Sequence, residues 1–336
     1  MKVKVWVLSL LAVMVIALTA CGGNEPEQGA GEQPEGTDQG NGTEENMTIR
    51  LGLVCGGMTP LLAQIGINDG SFEEAGLTVE ENCFTSGSDA VQALVGGSID
   101  ANLGSYEHVL RFANNALSVK AYGQLYDGIG YSLVVREDAP YQGLEDLAGE
   151  TLAVTRAGSL SDTGLRHGLE ASGIDPDRDV EIIGSGSGAS MFASIENSQV
   201  AGGMVSEPTI SQMVSSGDFR VLYEPEVEYA GIVVMATTEW VDENSEAMTV
   251  FLRVLNEIND RVKDDPSLAV EPMQQNFENI EPDVLEMAIA NQLARVPEGL
   301  RVTEEGAANV AETAVELEII EEPVSFDEAV DLSYLP

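Results

Sequence analysis

From Met47 to about residue 238 the sequence alternates short β-rich runs with amphipathic helical patterns. Such alternation restricts a chain to an α/β fold, because strands separated by helix-length crossovers pair in parallel. It predicts strands near 48–55, 77–83, 100–104, 118–124, 130–137, 151–155, 179–183, 201–205, 219–223 and 231–238. About 290 residues lie beyond residue 46, more than one small core uses, so two lobes are expected, each a mainly parallel sheet flanked by helices.

Several strands end in a small polar segment that opens a helix. Thr59 is the expected N-cap after the first strand, with Pro60 at the first helical position, and Ser88 is the expected cap in "TSGSDAVQALVGG", which also holds Ser86 and stops at Gly96 and Gly97. Ser105 and Tyr106 open "SYEHVLRFA", Ser159 or Ser161 caps "AGSLSDTGLRHGLEASG", and Ser206 or Glu207 stands ahead of Pro208. In open α/β sheets the carboxyl ends of the strands face a crevice, so these hydroxyls and helix N-termini predict one cleft for something small and polar. Taken singly, each cap is ordinary helix termination; five in the same phase argue for a site.

The N-terminus sets the compartment. Lys2 and Lys4 precede an apolar run that stops at Leu18-Thr19-Ala20-Cys21, too short and wrongly flanked for a comfortable membrane span and patterned as a secretory signal over 1–20. The four closing residues resemble a bacterial lipobox, which implies a lipid on Cys21 and an extracytoplasmic, membrane-anchored protein. Residues 21–46 hold no branched aliphatic or aromatic side chain and are expected to be a disordered acidic tether.

Charge removes two partner classes. Asp and Glu number 57 against 15 Lys and Arg, a net charge of −42, which repels nucleic acid and anionic headgroups. An acid excess of this size resembles the surfaces of salt-adapted proteins.

Catalytic and cofactor signals are sparse. "GSGSGA" places Gly184, Gly186 and Ala189 in a G-x-G-x-x-A after a strand, but it falls late in the chain and in an exported protein, so no nucleotide cofactor is expected. His108 and His167 lie in helical patterns without a nucleophile context and read as helix-face residues. No Cys or His pair has metal-ligand spacing. Cys55 and Cys83 each lie near a strand end and form a candidate disulfide outside the cytoplasm.

"GINDGSFEEAGLTVE", "AVQALVGGSIDANLGS", "GLEDLAGETLAVTRAGSLSDTGLRHGLEASGIDPDRDVEII" and "SIENSQVAGGMVSEP" together carry a family likeness. The chain resembles the solute-binding proteins of ABC importers, in the branch of nitrate-, sulfonate- and taurine-binding proteins and binders of the thiamine pyrimidine precursor. It departs at 197–201, Asn-Ser-Gln-Val-Ala, where relatives often carry an aspartate, and at "LEDLAGETLAV", which is acidic where they are lysine-rich.

The resemblance implies a type II periplasmic-binding-protein fold. Lobe 1 would span 47–135 and 237–336, lobe 2 would span 138–230, and hinge strands would lie near 130–137 and 231–236. It implies a monomer that catalyses nothing and hands a small anionic or zwitterionic solute, sulfonate-, nitrate- or taurine-like or an aromatic carboxylate, to a permease with its ATPase. The alternatives it leaves are a binder of an aminopyrimidine, a pyrimidine-precursor synthase and a binding subunit coupled to a sensor. The cleft would be lined by Gly57, Met58 and Thr59, by Ser86 and Ser88, by Ser105 and Tyr106, by Arg156, Ser159 and Ser161, and by Glu207, with Tyr229 near the hinge. Arg156 would take an anion and Glu207 an ammonium or aminopyrimidine nitrogen.

Two expected outcomes follow from sequence. Cys21→Ser should abolish incorporation of labelled fatty acid; continued labelling would refute the anchor. The thermal midpoint should rise from low to molar salt, where a Debye length of about 3 Å screens the self-repulsion; a flat response would refute the salt-adapted reading.

Overall fold

The computed structural model describes residues 47–113, 118–225 and 227–336. The expected signal over 1–20, Cys21 and the tether over 21–46 lie outside the described residues. All ten predicted strands are present: β1 (Met47–Val54), β2 (Leu77–Phe84), β3 (Ala101–Ser105), β4 (Val119–Asp127), β5 (Ser132–Arg136), β6 (Thr151–Val154), β7 (Glu181–Gly184), β8 (Gly202–Val205), β9 (Phe219–Tyr223) and β10 (Ala230–Thr237).

The helices between them are α1 (Leu61–Asn68), α2 (Ser71–Glu74), α3 (Gly87–Val95), α4 (Tyr106–Ala113), α5 (Leu160–Ala171), α6 (Ala189–Glu196) and α7 (Thr209–Ser216). After β10 the chain is helical: α8 (Thr238–Glu243), α9 (Ser245–Asp264), α10 (Val270–Gln274), α11 (Pro282–Leu293), α12 (Glu304–Glu316) and α13 (Phe326–Ala329). Of these, α9 packs on α1 and α2, and α12 on α4 and β10.

Two five-stranded sheets result, in the orders β2-β1-β3-β10-β4 and β7-β6-β8-β5-β9. Both are mixed, with one strand in each, β10 and β5, antiparallel to both neighbours. These are the two segments expected to join the lobes. They are embedded strands, and the chain crosses between sheets just before each, between Asp127 and Ser132 and between Tyr223 and Ala230.

The reversal has a geometric cause. The chain leaves each sheet at the carboxyl end of a strand, so the strand arriving in the other sheet starts at that same end and runs back. Four strands of each sheet therefore end facing the other lobe.

Where the two crossings meet, their backbones touch. Gly128 N–H donates to the Tyr229 carbonyl at 2.8 Å. A Cβ at Gly231 would lie 1.9 Å from the Gly128 oxygen, so only glycine fits there. The β10 run "AGIVVMAT" is buried along all but its last residue, as a strand covered on both faces must be. One large hydrophobic cluster runs through both lobes, and a smaller one around Val134, Met191 and Phe219 lies in the second lobe.

Parallel pairing of β1 with β2 brings Cys55 and Cys83 together as a disulfide, with Cα atoms 5.4 Å apart. It ties the loop after β1 to the end of β2. Both sulfurs are thus engaged, and Glu81 beside them is left without thiolate co-ligands.

Candidate functional site

The facing strand ends are closed on one another through polar contacts between the lobes. Met58 N–H donates to the Glu207 carbonyl at 2.7 Å, and the Ser187 hydroxyl donates to the Cys55 carbonyl at 2.9 Å. The Ser88 and Ser159 hydroxyls are 3.2 Å apart, and the Thr163 hydroxyl donates to Glu107 Oε2 at 2.7 Å. Glycine permits the approach: a Cβ on Gly57 would lie 2.6 Å from the Ser206 hydroxyl, and one on Gly188 would lie 2.7 Å from the Gly56 oxygen. Gly188 belongs to the stretch with dinucleotide-like spacing; what its bare Cα accommodates is the opposite lobe.

Local structure departs from the predicted caps in three places. Pro208 itself, and neither Ser206 nor Glu207, holds the N-cap position of α7. Pro60, not Thr59, holds the N-cap position of α1, whose first amide, Leu61 N–H, donates to Met58 O. Ser86, not Ser88, caps α3, accepting from Asp89 N–H at 3.3 Å. Gly87 can begin the helix, so the extended residue before it takes the cap and Ser88 moves into the first turn. Ser159 does hold the N-cap position of α5, but its hydroxyl reaches the other lobe instead of its own helix. Ser161 accepts from Thr155 N–H at 3.0 Å and holds that loop shut.

Behind these contacts lies a buried polar centre. Ser86, Asn102, Ser105, Glu107, His108, Thr155 and Thr163 are all at most 5% exposed. Among them Asn102 Oδ1, the Ser105 hydroxyl, Glu107 Oε1 and both ring nitrogens of His108 have no hydrogen-bond partner. A buried polar atom left unpaired costs about 1–3 kcal/mol, so their concentration here makes this centre the candidate site.

The ring of His108 faces the start of α3: a Cβ on Gly87 would lie 3.4 Å from its Nε2. Burial, helped by the charge of Arg111, lowers the His108 pKa to about 3, so the imidazole is neutral, with one N–H donor and one acceptor. Burial raises Glu107 to about 7, against the opposing pull of Arg111 and the Thr163 hydroxyl.

Several expected site residues lie away from this centre. Arg156 forms an ion pair with Asp89 of α3; its side chain is 60% exposed, so it closes the rim and does not point inward. Glu207 accepts from the Ser211 amide and hydroxyl at 3.1 and 2.9 Å and from Asn291 Nδ2 at 3.0 Å. It too joins the lobes at an edge. Tyr106 and Tyr229 are buried within the main hydrophobic cluster, and burial raises the phenol pKa of both.

Sequence reasoning missed Glu107 and His108. His108 is not an outward helix-face residue but fully buried. The available signal was its place in "SYEH", in the first turn of a helix opening from a strand end, in phase with Ser105.

A family model described as the NMT1-like family matches residues 42–271. The chain belongs to that family. Among its relatives, YtlA of Bacillus subtilis is 25% identical over 230 residues, 66% of this chain and 68% of YtlA. A Brucella abortus protein is 26% identical over 280 residues, 79% of this chain and 82% of its own. Both carry provisional names as binding proteins. Among solved structures, the alkanesulfonate-binding protein SsuA of Xanthomonas axonopodis pv. citri, bound to MOPS, has a TM-score of 0.71 at 18% identity. That match covers 84% of this chain and 98% of SsuA, and establishes the two-lobed fold.

The position of Arg156 generates a prediction. An exposed pair contributes about 0–1 kcal/mol, so Arg156→Ala should lower unfolding stability by no more than about 1 kcal/mol in a denaturant titration. A loss above about 2 kcal/mol would mean that the pair holds the lobes together.

Proposed function

We propose that this member of the NMT1-like family is the extracytoplasmic solute-binding component of an ABC-type importer. It would be tethered by a lipid on Cys21, close its lobes over a small anionic or zwitterionic solute, and present it to a membrane permease. Support comes from family membership, from the two-lobed fold shared with SsuA, and from the polar contacts that close the strand ends on each other. The observation that carries the reading is His108: a fully buried neutral imidazole with both nitrogens unpartnered, beside the N-terminus of α3. Its N–H and the Ser105 hydroxyl are donors suited to an oxyanion or carboxylate.

A second solute class, the aminopyrimidines, is favoured by one observation. The centre holds a neutral imidazole and a carboxyl near half-ionisation at neutral pH, groups that suit an uncharged heterocycle.

The test is a thermal-shift screen of sulfonates, nitrate, aminosulfonates, aromatic carboxylates and aminopyrimidines. A solute present at about 100 times its Kd should add roughly 2.7 kcal/mol of stability. His108→Ala should then weaken binding of the hit by about tenfold or more, measured by calorimetry, as expected for a lost buried hydrogen bond. No shift with any class, or full affinity in His108→Ala, would overturn this site.

A further inference from the structure

Glu107 stands in the first turn of α4 with none of its surface exposed. Its two oxygens are used differently. Oε2 accepts the Thr163 hydroxyl from the opposite lobe at 2.7 Å, while Oε1 has no partner. The groups that act on it are Arg111 on its own helix, Asp162 and Thr163 on α5, and Tyr229 just before β10, with His108 next to it in the chain. An ionised carboxylate only accepts hydrogen bonds. The donor on Oε2 and the charge of Arg111 both favour that ionised form, and burial opposes it. A buried acceptor next to the closing contact is best completed by an N–H from the enclosed molecule.

We infer that Glu107 selects among solutes, admitting those that carry an N–H donor (an ammonium, an amidinium or an amino-substituted heterocycle) over analogues that lack one. The inference rests on the reading of the closed cleft as a solute site, and it narrows the solute classes proposed there. Closure and recognition then share one side chain, because Oε2 receives the other lobe and Oε1 receives the solute.

The selection has a proton signature. A solute N–H at Oε1 favours the carboxylate, so binding drives a proton off Glu107 when the free group is partly protonated. Affinity therefore rises with pH up to the free value of about 7 and flattens above it. An oxyanion lacking a donor needs the protonated acid, and its affinity falls as pH rises through the same value.

The experiment is titration calorimetry of the intact protein between pH 5.5 and 8 with three matched pairs: taurine and ethanesulfonate, benzamidine and benzoate, 2-aminopyrimidine and pyrimidine. In at least one pair the N–H member should bind tenfold or more tightly than its analogue, with affinity rising toward pH 7 and protons released to buffer. Glu107→Gln should remove both the pH dependence and most of the preference. Thr163→Val, which removes the hydroxyl that stabilises the ionised form, should shift the pH midpoint upward. Members lacking an N–H binding as well as their partners, or a preference that survives Glu107→Gln, would overturn the inference while leaving the solute site standing. No binding by any of the six probes would overturn the inference, and the solute reading falls with it only where the wider thermal-shift screen is also without a hit.

Discussion

The double crossing of the chain between two sheets is the constraint on which the rest of the molecule depends. Because β4 hands over to β5 and β9 to β10, each sheet contains one strand that begins at the interface, and its other four strands must end there. Helices α3, α4, α5 and α7 follow those strand ends within a few residues, so their N-termini face one another across the gap. Backbone contact at Gly128, Tyr229 and Gly231 fixes the crossing itself. Hydroxyls from separate parts of the sequence, Ser88 and Ser159 among them, thereby meet at hydrogen-bond distance.

Charge is distributed so that the rim and the centre do different work. The scarce arginines are drawn into pairs with the abundant carboxylates: Arg50 with Asp100, Arg166 with Asp162 and Asp177, Arg261 with Asp69, and Arg156 with Asp89. With so many carboxylates, an arginine near a helix start finds a protein partner before it is available to a solute. The centre is accordingly built from groups whose charge burial suppresses, a neutral imidazole and a carboxyl pushed up to about 7. In a medium of low polarity such groups give directional hydrogen bonds without the desolvation cost of a full charge, and directionality is what distinguishes small solutes of similar size.

Much of the fold was legible because its signals are local. Strand positions follow from short β-branched runs between helical periods, and all ten lie within a few residues of where pattern places them. The candidate disulfide was legible as two cysteines at strand ends, but pairing needed the parallel register of β1 and β2. The choice of Ser86 over Ser88 as cap was not legible, since both satisfy the same rule and only the extended backbone at Ser86 separates them. The reversed direction of β5 and β10 was hidden as well, because a strand's sequence does not record the end from which the chain enters the sheet.

The site divides along the same line. Sequence alone determined that hydroxyls and helix starts cluster at the strand ends, because capping chemistry is written within four or five residues of each turn. It made Arg156 and Glu207 conspicuous through rarity and position, and left Glu107 and His108 inconspicuous within an ordinary amphipathic helix. Tertiary structure decided which of these chemistries is buried. Burial requires both lobes to close over a residue, and no stretch of sequence contains both. Arg156 and Glu207 find partners at the edge, whereas Glu107 and His108 are sealed in the centre, where desolvation changes their ionisation and where Glu107 Oε1 and both His108 nitrogens have no protein partner.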